Sequence, residues 1–122
     1  MIAASRLTIA LCALYGAAGV GLMAAGTHAA GTNATIAGQM LLFHASAGIA
    51  ATLARKAGFL SAGVGRIALA LMLAGVAVFS ADLAMTAFKG ARLFPMAAPT
   101  GGVGMIAGWA LLALAALIPA RA

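Results

Sequence analysis

Of the chain's 122 residues, 66% are hydrophobic and 7% charged, and the formal net charge is +6. An ordinary soluble domain carries about 45–50% apolar and about 25% charged residues, so a water-soluble fold could not hide this much apolar surface. The seven Lys and Arg stand singly or in pairs between apolar runs, which points to anionic lipid headgroups as their counterpart and away from nucleic acid; the single cysteine, Cys12, excludes an intrachain disulfide and a dithiol redox pair.

A helix needs about 20 residues, at about 1.5 Å each, to cross a hydrocarbon core of roughly 30 Å, so the length allows about four crossings. The expected fold is an all-α membrane protein, a four-transmembrane-helix bundle forming one transmembrane domain over residues 1–122, with spans at about 7–25, 35–54, 67–88 and 100–118. Ahead of the first span stands Arg6, and the small residues around Thr27, His28 and Ala29 would suit a signal-peptidase site. The apolar run exceeds the roughly 7–15 residues of a signal-peptide core, so the segment is expected to be retained as a span. On it, Ala13, Ala17, Gly21 and Ala25 recur at helical spacing, and this small-residue face is expected to pack on another helix, within the bundle or across a dimer.

The connection at 26–34 is small and polar, with Asn33 placed to cap the second helix. The second span carries Gln39 and His44, and the connection at 55–66 holds Arg55, Lys56 and Arg66. Ser80 and Asp82, the sole acidic residue, lie in the third span. Lys89 and Arg92 follow in the connection at 89–99, and Pro99 is positioned to start the fourth span, which contains Gly104, Gly108 and Trp109. With four spans, Arg6, Arg55, Lys56, Arg66 and Arg121 share one side against Lys89 and Arg92 on the other, which places both termini in the cytoplasm.

Ionisable groups at membrane depth are costly and are candidates for function by default. Counting from each span's middle puts Asp82 roughly 7 Å and Gln39 about 9 Å outward, with His44 close to the midplane, so Asp82 is expected to face His44 and Gln39 in a polar cluster that includes Ser80. The bland alternatives are an Asp82 paired with Lys89, a buried neutral His44 hydrogen-bonded across helices, and a solvated or capping His28 at the outer interface. His28 and His44 differ in depth by about 13 Å, too much for the two axial ligands of one haem. No cofactor, metal ligand set or catalytic constellation is expected from one acid and two histidines.

Three stretches carry a family resemblance: Ala24-Ala25-Gly26-Thr27-His28; Gln39 through His44; and Phe79-Ser80, then Pro99-Thr100-Gly101-Gly102, Met105 and Gly108-Trp109. In order and spacing they resemble the YgdD-like small membrane proteins, the bacterial family catalogued as domain of unknown function 423, with transmembrane protein 256 as a eukaryotic relative. Met40 stands where that family commonly has Tyr, Ala81 and Asp82 replace Gly-Ser, Ala84 replaces Tyr, and Ala98 replaces the Thr before Pro99. The resemblance implies four spans in a bacterial inner membrane and supplies no reaction.

The leading expectation is a non-enzymatic bundle of unknown biochemical activity that binds membrane lipid or a partner, either a second copy or another membrane protein. The alternative is a minimal carrier or channel subunit in which Gln39, His44, Ser80 and Asp82 line a cavity open to the outer face. A third reading, an enzyme acting on a lipid or quinone, would use His44 or Asp82 as acid–base.

Overall fold

A computed structural model describes residues 2–119, and Arg121, counted above for orientation, lies outside them. The described chain forms four helices: α1 Ile2–Ala25, α2 Thr32–Lys56, α3 Ala62–Lys89 and α4 Ala97–Leu117. All four are long and apolar enough to cross a membrane. Helix is the form such runs must take, because lipid offers no hydrogen-bond partner to an exposed backbone N–H or C=O.

The helices run past the apolar segments that announce them, and the connections shrink accordingly. α1 continues into a π-helical turn, Gly26–Ala30, which ends where Gly31 takes a positive φ of 82° and the N–H of Gly31 donates to the carbonyl of Gly26 at 3.3 Å. α2 then starts at once at Thr32, so Asn33 lies inside the first turn and makes no capping hydrogen bond, contrary to its expected role. Pro99 likewise falls in the first turn of a helix that already begins at Ala97, where its missing N–H costs little. Arg55, Lys56 and Arg66, expected in a loop, sit on the ends of α2 and α3, which only residues 57–61 separate.

Packing places α2 and α3 at the centre. Of the apolar windows of α2 and α3, 44% is buried, against 11% for α1 and 22% for α4. The most extensive helix contacts are α3 with α4 and α1 with α2, followed by α2 with α3. Tyr15 ties α1 to α3 by donating from its hydroxyl to the carbonyl of Leu73 at 2.9 Å, and one apolar cluster joins Leu41 of α2, Val76 of α3 and Met105 of α4.

Glycines set both of the closest crossings. A Cβ on Gly19 would lie 2.8 Å from the carbonyl oxygen of Gly38, and one on Gly38 would lie 2.5 Å from that of Gly19. Between α3 and α4, a Cβ on Gly75 would meet the Gly101 oxygen at 2.8 Å, and one on Gly101 would meet the Gly75 oxygen at 2.6 Å. Backbones approach this closely only where side chains are missing, and such contact replaces the hydrophobic drive that lipid does not provide. Gly108 behaves as expected, since its Cβ would press on Met72 and the Ala68 oxygen.

Within the bundle, the face expected to do this on α1 does not. Ala13, Ala17 and Gly21 are exposed, and a Cβ on Gly21 would touch nothing within 4 Å. The inward stripe is Cys12, Gly16 and Gly19, one to two positions out of phase with the expected one. α1 is apolar all round, so hydrophobic periodicity could not choose between the two stripes.

Candidate functional site

The interior polar residues are held by separate partners. Asp82, on α3 and only 1% exposed, accepts a 2.7 Å hydrogen bond at Oδ1 from the backbone N–H of Leu93, so its carboxylate anchors the loop that returns from α3 to α4. Lys89, the partner in the alternative reading of Asp82, is exposed. His44 is buried on α2; its Nδ1 lies 2.8 Å from the carbonyl of Met40 and its Nε2 accepts from Nε1–H of Trp109 at 3.0 Å. In that pairing Nδ1 carries the proton, donates down its own helix, and leaves Nε2 as acceptor. The two rings meet edge to face, 5.8 Å between centroids.

Ser80 donates to the carbonyl of Ala37 at 3.0 Å and so pins α3 to α2. Gln39 is exposed on the outside of α2, and His28 is exposed in the π turn. Of the residues expected to converge, none is a hydrogen-bond partner of another among the described residues. Depth along the membrane normal brought them level, but rotation about each helix axis turned Gln39 outward, His44 toward α4 and Asp82 toward the following loop. Trp109 and the Leu93 N–H are partners that sequence reading missed. Trp109 announces only that it is mid-span, and a backbone N–H announces nothing.

The opposite end of the bundle is different. The start of α1, the end of α2 and the start of α3 border a half-open cavity of about 600 Å³, lined by Ser5, Thr8, Arg55, Lys56 and Arg66 and, further along α3, by Leu69, Ala70 and Leu73. Arg55 lies over bare backbone at Gly65, where a Cβ would stand 3.4 Å from its Cδ. Its Nε is enclosed with no hydrogen-bond acceptor. No acidic side chain is near, because the only one in the chain, Asp82, lies 16 residues along α3 from Arg66, about 24 Å at 1.5 Å per residue. Sequence reading had the three cations and used them for orientation. That helix ends would gather them round a cavity required knowing the connection was only five residues long.

A second, smaller hollow of about 320 Å³ lies between α2 and α4, lined by alanines, Leu60, Leu112 and Trp109. It is apolar throughout. Among the described residues no group of three or more His, Cys, Asp or Glu is arranged to hold a metal ion.

The model of one family, protein of unknown function (DUF423), matches residues 15–102. The chain belongs to the DUF423 family. The DUF423 match takes in Arg55, Lys56, Arg66, Ser80 and Asp82 and stops short of Trp109 and of the α1 residues at the cavity mouth. No curated protein and no solved structure matches this DUF423 chain.

Proposed function

We propose that this DUF423 protein is a multi-pass protein of a bacterial inner membrane, with both termini cytoplasmic, that acts by binding membrane lipid and carries out no catalysis. The observation that carries the reading is a contrast between the two kinds of polar group. Asp82 through Oδ1, His44 and Ser80 each make a hydrogen bond that holds helices or a loop in place. A general acid or base must instead present its proton or lone pair to a substrate. Arg55 has an enclosed donor with nothing to bind, beside two further cations and a cavity.

The carrier or channel reading has less support, since His44, Ser80 and Asp82 bond to separate partners and Gln39 is exposed on the outside of α2. Small-residue crossings at Gly19/Gly38 and Gly75/Gly101 support a rigid scaffold in its place.

Two measurements test the proposal. Protein purified in a mild non-ionic detergent is expected to retain phospholipid at about one molecule or more per chain, quantified by extraction and headgroup analysis. A stable, folded protein stripped of phospholipid by the first detergent wash would overturn the lipid reading. For orientation, Gly63→Cys, at an exposed position with open space around it, should resist an impermeant maleimide in intact cells, whereas Ala91→Cys should react. Cys12 is fully buried and gives little background. The reverse labelling pattern would invert the topology and put the basic end outside.

A further inference from the structure

We infer that the cavity between α1, α2 and α3 is a site for one anionic phospholipid, its phosphate held by Arg55, Lys56 and Arg66 and one acyl chain lying along Leu69, Ala70 and Leu73. The inference rests on the lipid-binding reading above and specifies the lipid class and the place.

Charge is the first ground. Three cations from two helices line one cavity, and among the described residues no carboxylate stands beside them, the chain's single acidic side chain, Asp82, being held near the other end of α3. Cations in the last turn of α2 also complement that helix's dipole, which accounts for Arg55 and Lys56 being there. It does not account for an Arg55 Nε that is shut away from water without an acceptor. A buried donor left unpaired is costly, and a phosphate at the cavity mouth offers the Arg55 guanidinium and its two neighbouring cations a counter-charge, which Nε itself meets only if the side chain turns toward the cavity.

The start of α3 adds to this. Ser61 precedes it without a side-chain cap, and Ala62 lines the cavity, so the positive end of a 28-residue helix adjoins the same space. The hydroxyl-bearing residues Ser5 and Thr8 complete the rim from α1, and Ser5 is buried.

Polarity along the cavity selects a lipid over a free anion. From Arg66 to Leu73 the α3 wall descends seven residues, about 10 Å at 1.5 Å per residue, and becomes wholly apolar. At Leu73 the Tyr15 hydroxyl ties α1 across to α3. A charged mouth over an apolar trough fits a headgroup with the first part of its acyl chain, and basic recesses between spanning helices are where anionic headgroups dock. The volume of about 600 Å³ falls within the roughly 300–1,000 Å³ typical of small-molecule sites.

The test is a native mass spectrometry titration of the full chain in neutral detergent with dioleoyl phosphatidylglycerol, dioleoyl phosphatidylcholine or inorganic phosphate. Wild type is expected to bind phosphatidylglycerol well above phosphatidylcholine. Arg66→Gln and Arg55→Gln should each weaken phosphatidylglycerol about fivefold, the factor equivalent to about 1 kcal/mol per cation near the membrane surface, and leave phosphatidylcholine unchanged. Lys89→Gln and Arg92→Gln, at the other end, should change neither. Should Arg55→Gln fail to fold, the exposed Arg66 carries the test alone. Wild type that binds no phospholipid of either kind would sink the lipid-binding reading itself. Equal affinity for the two lipids, unchanged affinity in both variants, or binding of phosphate as tight as that of phosphatidylglycerol would overturn this inference while leaving that reading standing.

Discussion

Gly101→Leu is expected to prevent the α3–α4 pair from closing, leaving protein that aggregates or is degraded on expression, and Gly101→Ala is expected to fold but lose about 3 kcal/mol of stability. The difference follows from what the added atoms meet. A single Cβ at this position would lie 2.6 Å from both the Gly75 oxygen and the Phe79 nitrogen. Both are helix backbone, so relief requires the two helices to separate along their whole contact, and overpacking of this kind costs about 1–3 kcal/mol even where side chains can yield. Against a total stability of roughly 5–15 kcal/mol, a leucine there exceeds what the fold can absorb. Gly21→Leu is the control. Its Cβ would enter open space on the outward face of α1, and the change in stability should stay within about 0.5 kcal/mol. Thermal unfolding in detergent, followed by circular dichroism, reads all three; a Gly21→Leu loss equal to that of Gly101→Ala would mean the helix faces are wrongly assigned.

The second large effect is at Asp82. Replacing it with Leu removes the acceptor of the Leu93 N–H and should cost about 1–2 kcal/mol, the value of a charge-assisted hydrogen bond whose donor, on an exposed loop residue, can turn to water. Asp82→Asn keeps a carbonyl oxygen at the same place and loses only the charge assistance, about 1 kcal/mol. Amide exchange distinguishes this local role from a general loss of packing. Exchange at Leu93 and its neighbours in residues 90–96 should quicken in Asp82→Leu while α2 stays protected. Equal acceleration at Leu93 and around His44 would restore the direct coupling of Asp82 to the second span that sequence reading expected.

Why the sequence yielded the fold but scattered the site is visible in particular residues. The four apolar runs are near spanning length, and lipid leaves the backbone little choice but helix, so element number and type were legible without any partner information. Azimuth was not. On α1, Gly19 and Gly21 are chemically alike and two residues apart, yet one meets the Gly38 backbone and the other meets nothing. In a soluble helix the polar face would have identified the outside; here both faces are apolar. Depth counting places Asp82 and Gln39 at similar levels with His44 within side-chain reach nearer the midplane, but hydrogen bonding is decided by rotation, and the partners are a Trp on α4 and a loop N–H. The basic cavity was missed for a different reason. Its cations were read as loop charges, and only the short 57–61 turn makes them helix-end residues facing one space.

A photoreactive phosphatidylglycerol carrying a diazirine near the top of one acyl chain, cross-linked to the protein in native membranes and mapped by peptide mass spectrometry, tests the lipid site most directly. Adducts are predicted on the cavity wall, at Thr8, Leu69 and Ala70, with their yield falling in Arg55→Gln and Arg66→Gln. Adducts spread over the outward faces of α1 and α4, at residues such as Leu14, Val103 and Ile106, with yields indifferent to both substitutions, would contradict it.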